Sequence, residues 1–146
     1  VMNNVFFLDY TGVGVDPGFQ EVEQIGKDDI DTEWITKKSI EFIKKSQNEP
    51  FFLHINYNTP HVPYVPPGSI LKMVQNDLGF LTSQMHPMIV KYLGEVKYTD
   101  LEIGKIAQFL KEKQIYENTI IIISSDHGDM FSEHHTFEKN GVTGTR

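Results

Sequence analysis

Two neighbouring residues, Asp126 and His127, have side chains that can bind one divalent cation together. They follow a run of four isoleucines and two serines. Oxygen ligands favour Ca²⁺ or Mg²⁺, while an imidazole nitrogen also admits Mn²⁺ or Zn²⁺. The same residue types also cap ordinary turns. Taken alone, the pair therefore indicates either a metal site or a purely structural turn.

His61 is a second candidate, since it lies in a segment with four prolines, residues 58–68. Proline restricts the backbone and removes a hydrogen-bond donor, so this segment is predicted to be a stiff, irregular loop. A rigid loop can hold an imidazole where it binds an anion or releases a proton. The alternative is an exposed loop histidine without a catalytic role.

Lys139 is a third candidate, because a lysine ammonium group can bind an oxyanion as a point charge. The alternative is a solvated surface lysine. His134 and His135 lie close to it in the sequence and could form a zinc site with His127. Their spacing fits no zinc motif that has a clear structural basis.

Alternating helices and strands are predicted to position these candidates. Asp31 is a good N-cap for the first long helix. The aromatic run 51–57 and the isoleucine run 119–124 have the composition of buried strands. This alternation predicts an α/β fold in which 119–124 is a central strand covered by helices on both sides. Polar residues that follow such strands gather at the edge where ligands bind. The predicted elements are a short strand at 5–8, a helix at about 32–47, the strand 51–57, a short helix within 69–87, a long helix from 88 to about 113, and the strand 119–124.

The long helix has apolar residues at intervals of three and four, which predicts its buried face. Asp100 falls on this face and is interpreted as a buried carboxylate that is satisfied by hydrogen bonds. The residues of the predicted face are Ile89, Leu93, Val96, Ile103, Ala107 and Leu110.

The composition excludes several classes of function. A net charge of −7 argues against a nucleic-acid backbone as the main partner. No apolar run reaches the roughly 20 residues of a transmembrane helix. The sequence has no cysteine, which rules out a thiol nucleophile and thiolate metal ligands within these residues.

Four segments, in order, resemble the type I sulfatases of the alkaline phosphatase superfamily. Their order and spacing make the resemblance specific, and they cover roughly residues 32–139. The resemblance also accounts for Asp100, since the family has an aspartate on its long helix. The segments are Pro50–Leu53 with Tyr57 and Pro60–Pro63, then Tyr92–Leu110 with Asp100, then Asn118–Met130, and finally Glu133–His134 with Lys139.

The resemblance implies a partial alkaline-phosphatase-like sandwich, with a mixed sheet and helices on both faces. It implies that Asp126 and His127 are two ligands of a divalent cation, usually Ca²⁺ in sulfatases, with Mg²⁺ or Mn²⁺ as alternatives. His61 would contact the sulfate and protonate the leaving oxygen, and Lys139 would bind the sulfate oxygens. The implied reaction is cleavage of a sulfate ester or sulfamate of a small molecule or glycan. The implied compartment is periplasmic, secreted or lysosomal, and the oligomeric state is left open.

The nucleophile of the family does not occur in this sequence. It is the hydrate of formylglycine, formed in a Cys/Ser-x-Pro/Ala-x-Arg motif, whereas the only arginine here is Arg146. Residues 1–146 are therefore interpreted as a single fragment of a catalytic domain, without the N-terminal nucleophile segment and the C-terminal subdomain. We expect the isolated chain to be inactive. The alternatives are a phosphonate monoester or phosphodiester hydrolase of the same superfamily, or a noncatalytic fragment.

Overall fold

The computed structural model describes residues 2–3, 19, 21, 23–24 and 31–131. The predicted strand at 5–8 and the candidates His134, His135 and Lys139 lie outside these residues. Most of the described chain is helical. The elements are β1 (Met2–Asn3), β2 (Glu23–Gln24), α1 (Thr32–Ser46), β3 (Ile55–Asn56), α2 (Gly68–Leu78), a 3-10 helix (Gly79–Gln84), α3 (Pro87–Glu112) and a short 3-10 turn (Tyr116–Asn118).

Helix α1 begins and ends as the sequence predicts. The Asp31 carboxylate accepts a hydrogen bond of 2.9 Å from the Trp34 N–H and so caps the first turn. Lys44 and Lys45 lie in the last turn, where positive charge is favourable beside the helix C-terminus. The side of α1 that contains Ile35 and Ile43 is buried.

Helix α3 has the predicted length, and its buried face is confirmed only in part: Leu110 is buried, and Ile89, Leu93, Ile103 and Ala107 are half-buried. Val96 and Asp100 are exposed, so the interpretation of Asp100 as a buried carboxylate is wrong. Glu95 and Glu102 are buried instead. Glu95 Oε1 accepts from the Val65 N–H and Glu102 Oε1 accepts from Lys105, whereas the buried Glu102 Oε2 has no hydrogen-bond partner among the described residues. The buried residues of α3 are Val90, Gly94, Glu95, Glu102, Ile106, Phe109 and Leu110.

The main apolar core lies between α1 and the C-terminal half of α3. Ile43 contacts a group of α3 side chains, and half-buried residues around β3 pack against the same cluster. Complete burial of each large apolar side chain contributes about 1.5–3 kcal/mol, so this cluster fixes α1 against α3. The α3 members are Ile106, Phe109 and Leu110.

The strands are short, and the predicted mixed sheet is not seen among the described residues. β1 lies between β2 and β3 and pairs with both in parallel, over two residues each. Within the predicted strand 51–57, only Ile55–Asn56 is paired.

The predicted central strand at 119–124 is not formed among the described residues. These residues lie outside helix and strand, and Ile120 and Ile122 are 89% and 85% exposed. A β-branched apolar run forms a buried strand only where neighbouring strands and covering helices surround it, and the described residues do not surround this one. None of the helices in the described ranges has the length and hydrophobicity needed to span a bilayer.

Candidate active site

The loop that carries His61 is fixed at its start by buried hydroxyl groups. The Thr59 side chain is buried, and its hydroxyl lies 2.7 Å from that of Thr32 on α1. The Thr59 carbonyl accepts a hydrogen bond of 3.1 Å from the Thr99 hydroxyl on α3. The loop therefore leaves β3 tied to both long helices. The Thr59–Pro60 and Val62–Pro63 peptide bonds in this loop are cis.

The far end of the loop is fixed by α3. The Val65 N–H donates a hydrogen bond of 2.7 Å to Glu95 Oε1. Burial raises the pKa of the Glu95 carboxyl, and the hydrogen bond from Val65 partly opposes this. Pro66 packs so closely on Gly94 that a Cβ atom there would lie 2.7 Å from Pro66 Cγ. Glycine at this position therefore allows the loop to touch the helix.

Tyr57 forms a further tie at the start of the loop. The Tyr57 hydroxyl forms a hydrogen bond of 2.9 Å with the Thr36 hydroxyl, which also lies 3.1 Å from the Thr32 carbonyl. Burial raises the pKa of Tyr57 to about 12; the Thr36 bond lowers it, and the charge of Glu102 raises it. The phenol therefore stays protonated at neutral pH and holds β3 against α1.

His61 lies exposed in this tethered loop. Its backbone N–H donates to the Asn58 carbonyl at 2.7 Å. Its ring Nδ1 lies 2.7 Å from the Val62 carbonyl oxygen. Because a carbonyl can only accept, Nδ1 carries a proton. This leaves Nε2 as the ring nitrogen that can exchange a proton with solvent or a ligand. The geometry suits either a general acid or an anion-binding group.

Asp126 and His127 form an exposed turn in which a carboxylate oxygen and an imidazole nitrogen lie side by side. The His127 N–H donates to Asp126 Oδ1 at 3.0 Å. The imidazole Nδ1 donates to the Gly128 carbonyl at 3.0 Å, so Nε2 has a lone pair when the ring is neutral. Nε2 lies 3.5 Å from Asp126 Oδ2. A carboxylate oxygen and an imidazole nitrogen at this separation fit one divalent cation, although residues 31–131 contain no group of three such ligands.

Tyr64 joins the loop of His61 to the turn of His127. Its hydroxyl donates a hydrogen bond to Asp129 Oδ2. The Tyr64 ring is 5% exposed and lies with its centroid 5.5 Å from Tyr92 on α3 and 6.0 Å from Phe131. Burial, followed by the bond to Asp129 and its charge, raises the pKa of the Tyr64 phenol well above its usual range.

The sequence missed Tyr64 and Asp129 because they are 65 residues apart. It also missed Thr59, Glu95 and Thr99, which no motif marks. The only available signal was two acidic residues, Glu95 and Glu102, on one side of a helix that is otherwise apolar there.

Comparison with known proteins identifies the family. The chain matches the family model described as Sulfatase over residues 6–145. The chain belongs to the sulfatase family. The resemblance read from the sequence is therefore confirmed, and the family implies an alkaline-phosphatase-like α/β fold.

Several curated relatives are sulfatases by name. The chain is 26% identical to an arylsulfatase of Clostridium perfringens over 136 residues, covering 74% of this chain and 28% of that protein. It is 32% identical to an N-acetylgalactosamine-6-O-sulfatase of Bacteroides thetaiotaomicron, covering 73% of this chain and 18% of that protein.

One further relative is a multifunctional alkaline phosphatase superfamily protein, PehA, of Trinickia caryophylli. It is 23% identical, with 81% of this chain and 31% of that protein covered. The sulfatase-family chain thus spans less than a third of the length of these relatives. No solved structure matches it significantly.

Proposed function

We propose that this chain carries part of the active site of a cation-dependent sulfatase that cleaves a sulfate ester or sulfamate. The observation that carries the proposal is the pairing of His127 Nε2 with Asp126 Oδ2 at 3.5 Å. The Tyr64–Asp129 bond links the segment that contains this pair to the loop that contains His61, which supports the proposal. Family membership supports sulfate ester hydrolysis as the general reaction.

Each candidate residue has a specific role in this proposal. Asp126 and His127 are two ligands of the cation, which is Ca²⁺ or, alternatively, Mg²⁺ or Mn²⁺. The bound cation supplies Lewis-acid polarisation of the ester sulfate. His61 contacts the sulfate and protonates the leaving oxygen from Nε2. Lys139 binds the sulfate oxygens, and the substrate is a sulfated small molecule or glycan.

The remaining parts of the site come from outside residues 1–146 in this proposal. The sequence has no cysteine, and its only arginine is Arg146, so a formylglycine motif does not fit within it. We use the term intact enzyme for this chain joined to the segments that complete the length of its relatives. In the intact enzyme, residues 119–124 become a central strand of a mixed sheet with helices on both faces, because pairing removes their isoleucines from water.

Turnover of an aryl sulfate by the intact enzyme tests the three site residues in the described range. Replacing His61 by alanine should lower kcat by about 10²–10⁴-fold, which is the usual contribution of a general acid. Asp126→Ala and His127→Ala should instead raise the cation concentration that gives half-maximal activity. His54→Ala is the matched control, since His54 is an exposed histidine outside the site. Near-normal kinetics for His61→Ala would remove His61 from the mechanism.

The isolated chain provides a second test. We expect no turnover of an aryl sulfate and only weak Ca²⁺ binding by calorimetry, because two ligands leave a hard cation mostly hydrated. Measurable turnover would show that the nucleophile lies within residues 1–146. Tight Ca²⁺ binding that Asp126→Ala abolishes would show that further ligands do.

The similarity to a multifunctional alkaline phosphatase superfamily protein supports a second candidate function. In this alternative, the intact enzyme cleaves a phosphonate monoester or phosphodiester, since tetrahedral oxyanions of sulfur and phosphorus are alike in shape and size. Paired measurements of kcat/KM on an aryl sulfate, an aryl phosphonate and a phosphodiester decide between them. A higher value for either phosphorus substrate would favour the alternative.

A further inference from the structure

Exposure along residues 119–131 falls abruptly where the segment meets the rest of the molecule. Residues 120–128 are all exposed, and the Asp126 side chain is 88% exposed. Residues 129–131 are half-buried. The turn that carries Asp126 and His127 therefore projects from the fold, and its attachment begins at Asp129.

Among the described residues, this attachment includes a hydrogen bond and a group of three aromatic rings. The Tyr64 hydroxyl donates to Asp129 Oδ2. The centroids of Tyr92 and Phe131 are 5.1 Å apart, and Tyr64 packs edge-on against Tyr92 with 70° between the ring planes. Edge-to-face packing of this kind stabilises a pair of rings beyond burial alone. Since Tyr92 belongs to α3, the rings connect three separate parts of the chain.

Tyr64 is itself held in place by α3. Its neighbour Val65 donates to the buried Glu95, and Pro66 packs against Gly94. The phenol is therefore a fixed donor, and Asp129 is the acceptor whose position depends on it. A side chain that fixes a ligand-bearing turn in this way controls where the ligand atoms lie.

We propose that Tyr64 is a positioning residue, whose hydrogen bond to Asp129 holds the Asp126–His127 turn beside the loop of His61. This inference rests on the proposed function, in which those three residues share one site. Removing the hydroxyl leaves the rings packed but releases the turn. The cation then binds a turn that must first be ordered, which weakens binding with little effect on reaction once the cation is bound.

The first measurement is backbone ¹⁵N relaxation by NMR on the 146-residue chain, comparing the wild type with Tyr64→Phe. Rigid backbone has order parameters of about 0.85, and flexible backbone falls below about 0.6. We expect residues 126–128 to fall to the flexible range in Tyr64→Phe, while residues of α1 and α3 keep their values. Tyr116→Phe is the matched control, since Tyr116 lies in the short 3-10 turn and contacts Lys111.

Variants of Asp129 test the same bond without altering the buried ring. Asp129→Leu should reproduce the loss of order, and Asp129→Asn should restore it, because the amide oxygen still accepts from Tyr64. The double variant Tyr64→Phe/Asp129→Leu should be no more disordered than either single variant. Unchanged order in both Tyr64→Phe and Asp129→Leu would overturn the proposal, as would a loss of order spread over all of residues 31–131.

The second measurement is the Ca²⁺ dependence of aryl sulfate hydrolysis by the intact enzyme. Tyr64→Phe should raise the half-saturating Ca²⁺ concentration by about 10–100-fold, the usual effect of losing a group that orients a metal ligand. The KM for the sulfate ester at saturating Ca²⁺ should stay close to that of the wild type. A change in KM alone would contradict positioning. If the intact wild type hydrolyses no sulfate ester, the proposed function fails, and the order parameters still decide whether Tyr64 holds the turn.

Discussion

Two segments of different character are associated with the candidate active-site histidines. The proline-rich loop of residues 58–67 contains His61, and the isoleucine-rich segment of residues 119–125 precedes His127. The loop is irregular, yet buried hydrogen bonds tie it to α1 at Thr59 and to α3 at Val65. The isoleucine segment has the residue types of a regular strand, yet it is exposed and unpaired among the described residues.

The difference shows that order in this molecule depends on the available partners more than on regular backbone structure. Prolines leave the loop with few N–H groups to satisfy, and several of the polar groups that remain, such as the Val65 N–H and the Thr59 carbonyl, find specific partners on the helices. An isoleucine strand needs whole neighbouring strands on both sides. Where those neighbours are lacking, its apolar side chains remain in water.

The largest expected effect concerns the core that supports the loop. Ile43 is 2% exposed and packs on Ile106, Phe109 and Leu110. Ile43→Ala should therefore lower the free energy of unfolding of the chain by about 2–5 kcal/mol, through lost burial and the cavity that remains. Urea denaturation followed by circular dichroism measures this. A change below about 1 kcal/mol would mean that α1 and α3 do not share this core.

The next effect concerns the contact between loop and helix. Gly94→Ala places a Cβ atom 2.7 Å from Pro66 Cγ, whereas a Cβ at Gly104 in the same helix meets nothing within 4 Å. Alanine favours a helix by about 0.8–1.0 kcal/mol over glycine, so Gly104→Ala should stabilise the chain. The free energy of unfolding of Gly94→Ala should be about 1–3 kcal/mol lower than that of Gly104→Ala, because the loop must shift to make room for the new methyl group. Equal melting temperatures for the two variants would show that the loop is not pressed against α3.

A smaller effect concerns the pH dependence of the same contact. The pKa of Glu95 is raised by burial above its ordinary value of 4.5, so the folded chain binds this proton more tightly than the unfolded chain. The stabilisation is complete below pH 4.5 and is lost as the pH rises through the folded pKa. Glu95→Gln keeps the acceptor for Val65 without titrating. The Tm of Glu95→Gln minus that of the wild type should therefore increase from pH 4 to pH 7. A difference in Tm that stays constant over this range would contradict the prediction.

The smallest expected effect concerns the isoleucine segment. Ile122 is 85% exposed, so Ile122→Ser should change the free energy of unfolding of the chain by less than about 0.5 kcal/mol. Urea denaturation beside Ile43→Ala gives the direct comparison. A loss above 1 kcal/mol would show that the segment is paired and buried in solution, and the contrast with the loop would disappear.

Much of the local structure could be predicted from the sequence. Asp31 marks the start of α1, Asn48–Pro50 marks its end, and four prolines mark the irregular loop. The buried face of α3 could be predicted only in part: apolar spacing identified Leu110, whereas Glu95 and Glu102 are polar and are bonded to Val65 and Lys105. Apolar periodicity cannot recognise a buried carboxylate, whether its partner lies in another segment, as Val65 does for Glu95, or in the same helix, as Lys105 does for Glu102.

The candidate site divides in the same way. The adjacency of Asp126 and His127 is a property of the sequence, and it led to the resemblance that the family match confirms. Their roles, and that of His61, stay predictions. The bond from Tyr64 to Asp129 connects residues 65 positions apart, and no motif points to it.

By itself, the sequence determined the helices α1 and α3, the irregular loop, the adjacent carboxylate and imidazole, and the family, because these depend on neighbours along the chain. Only the tertiary structure decided which face of α3 is buried, how the loop is tied to it, and where the Asp126–His127 turn is attached. These features depend on hydrogen bonds and packing between distant segments, whose energies exist only once the chain has brought the segments together.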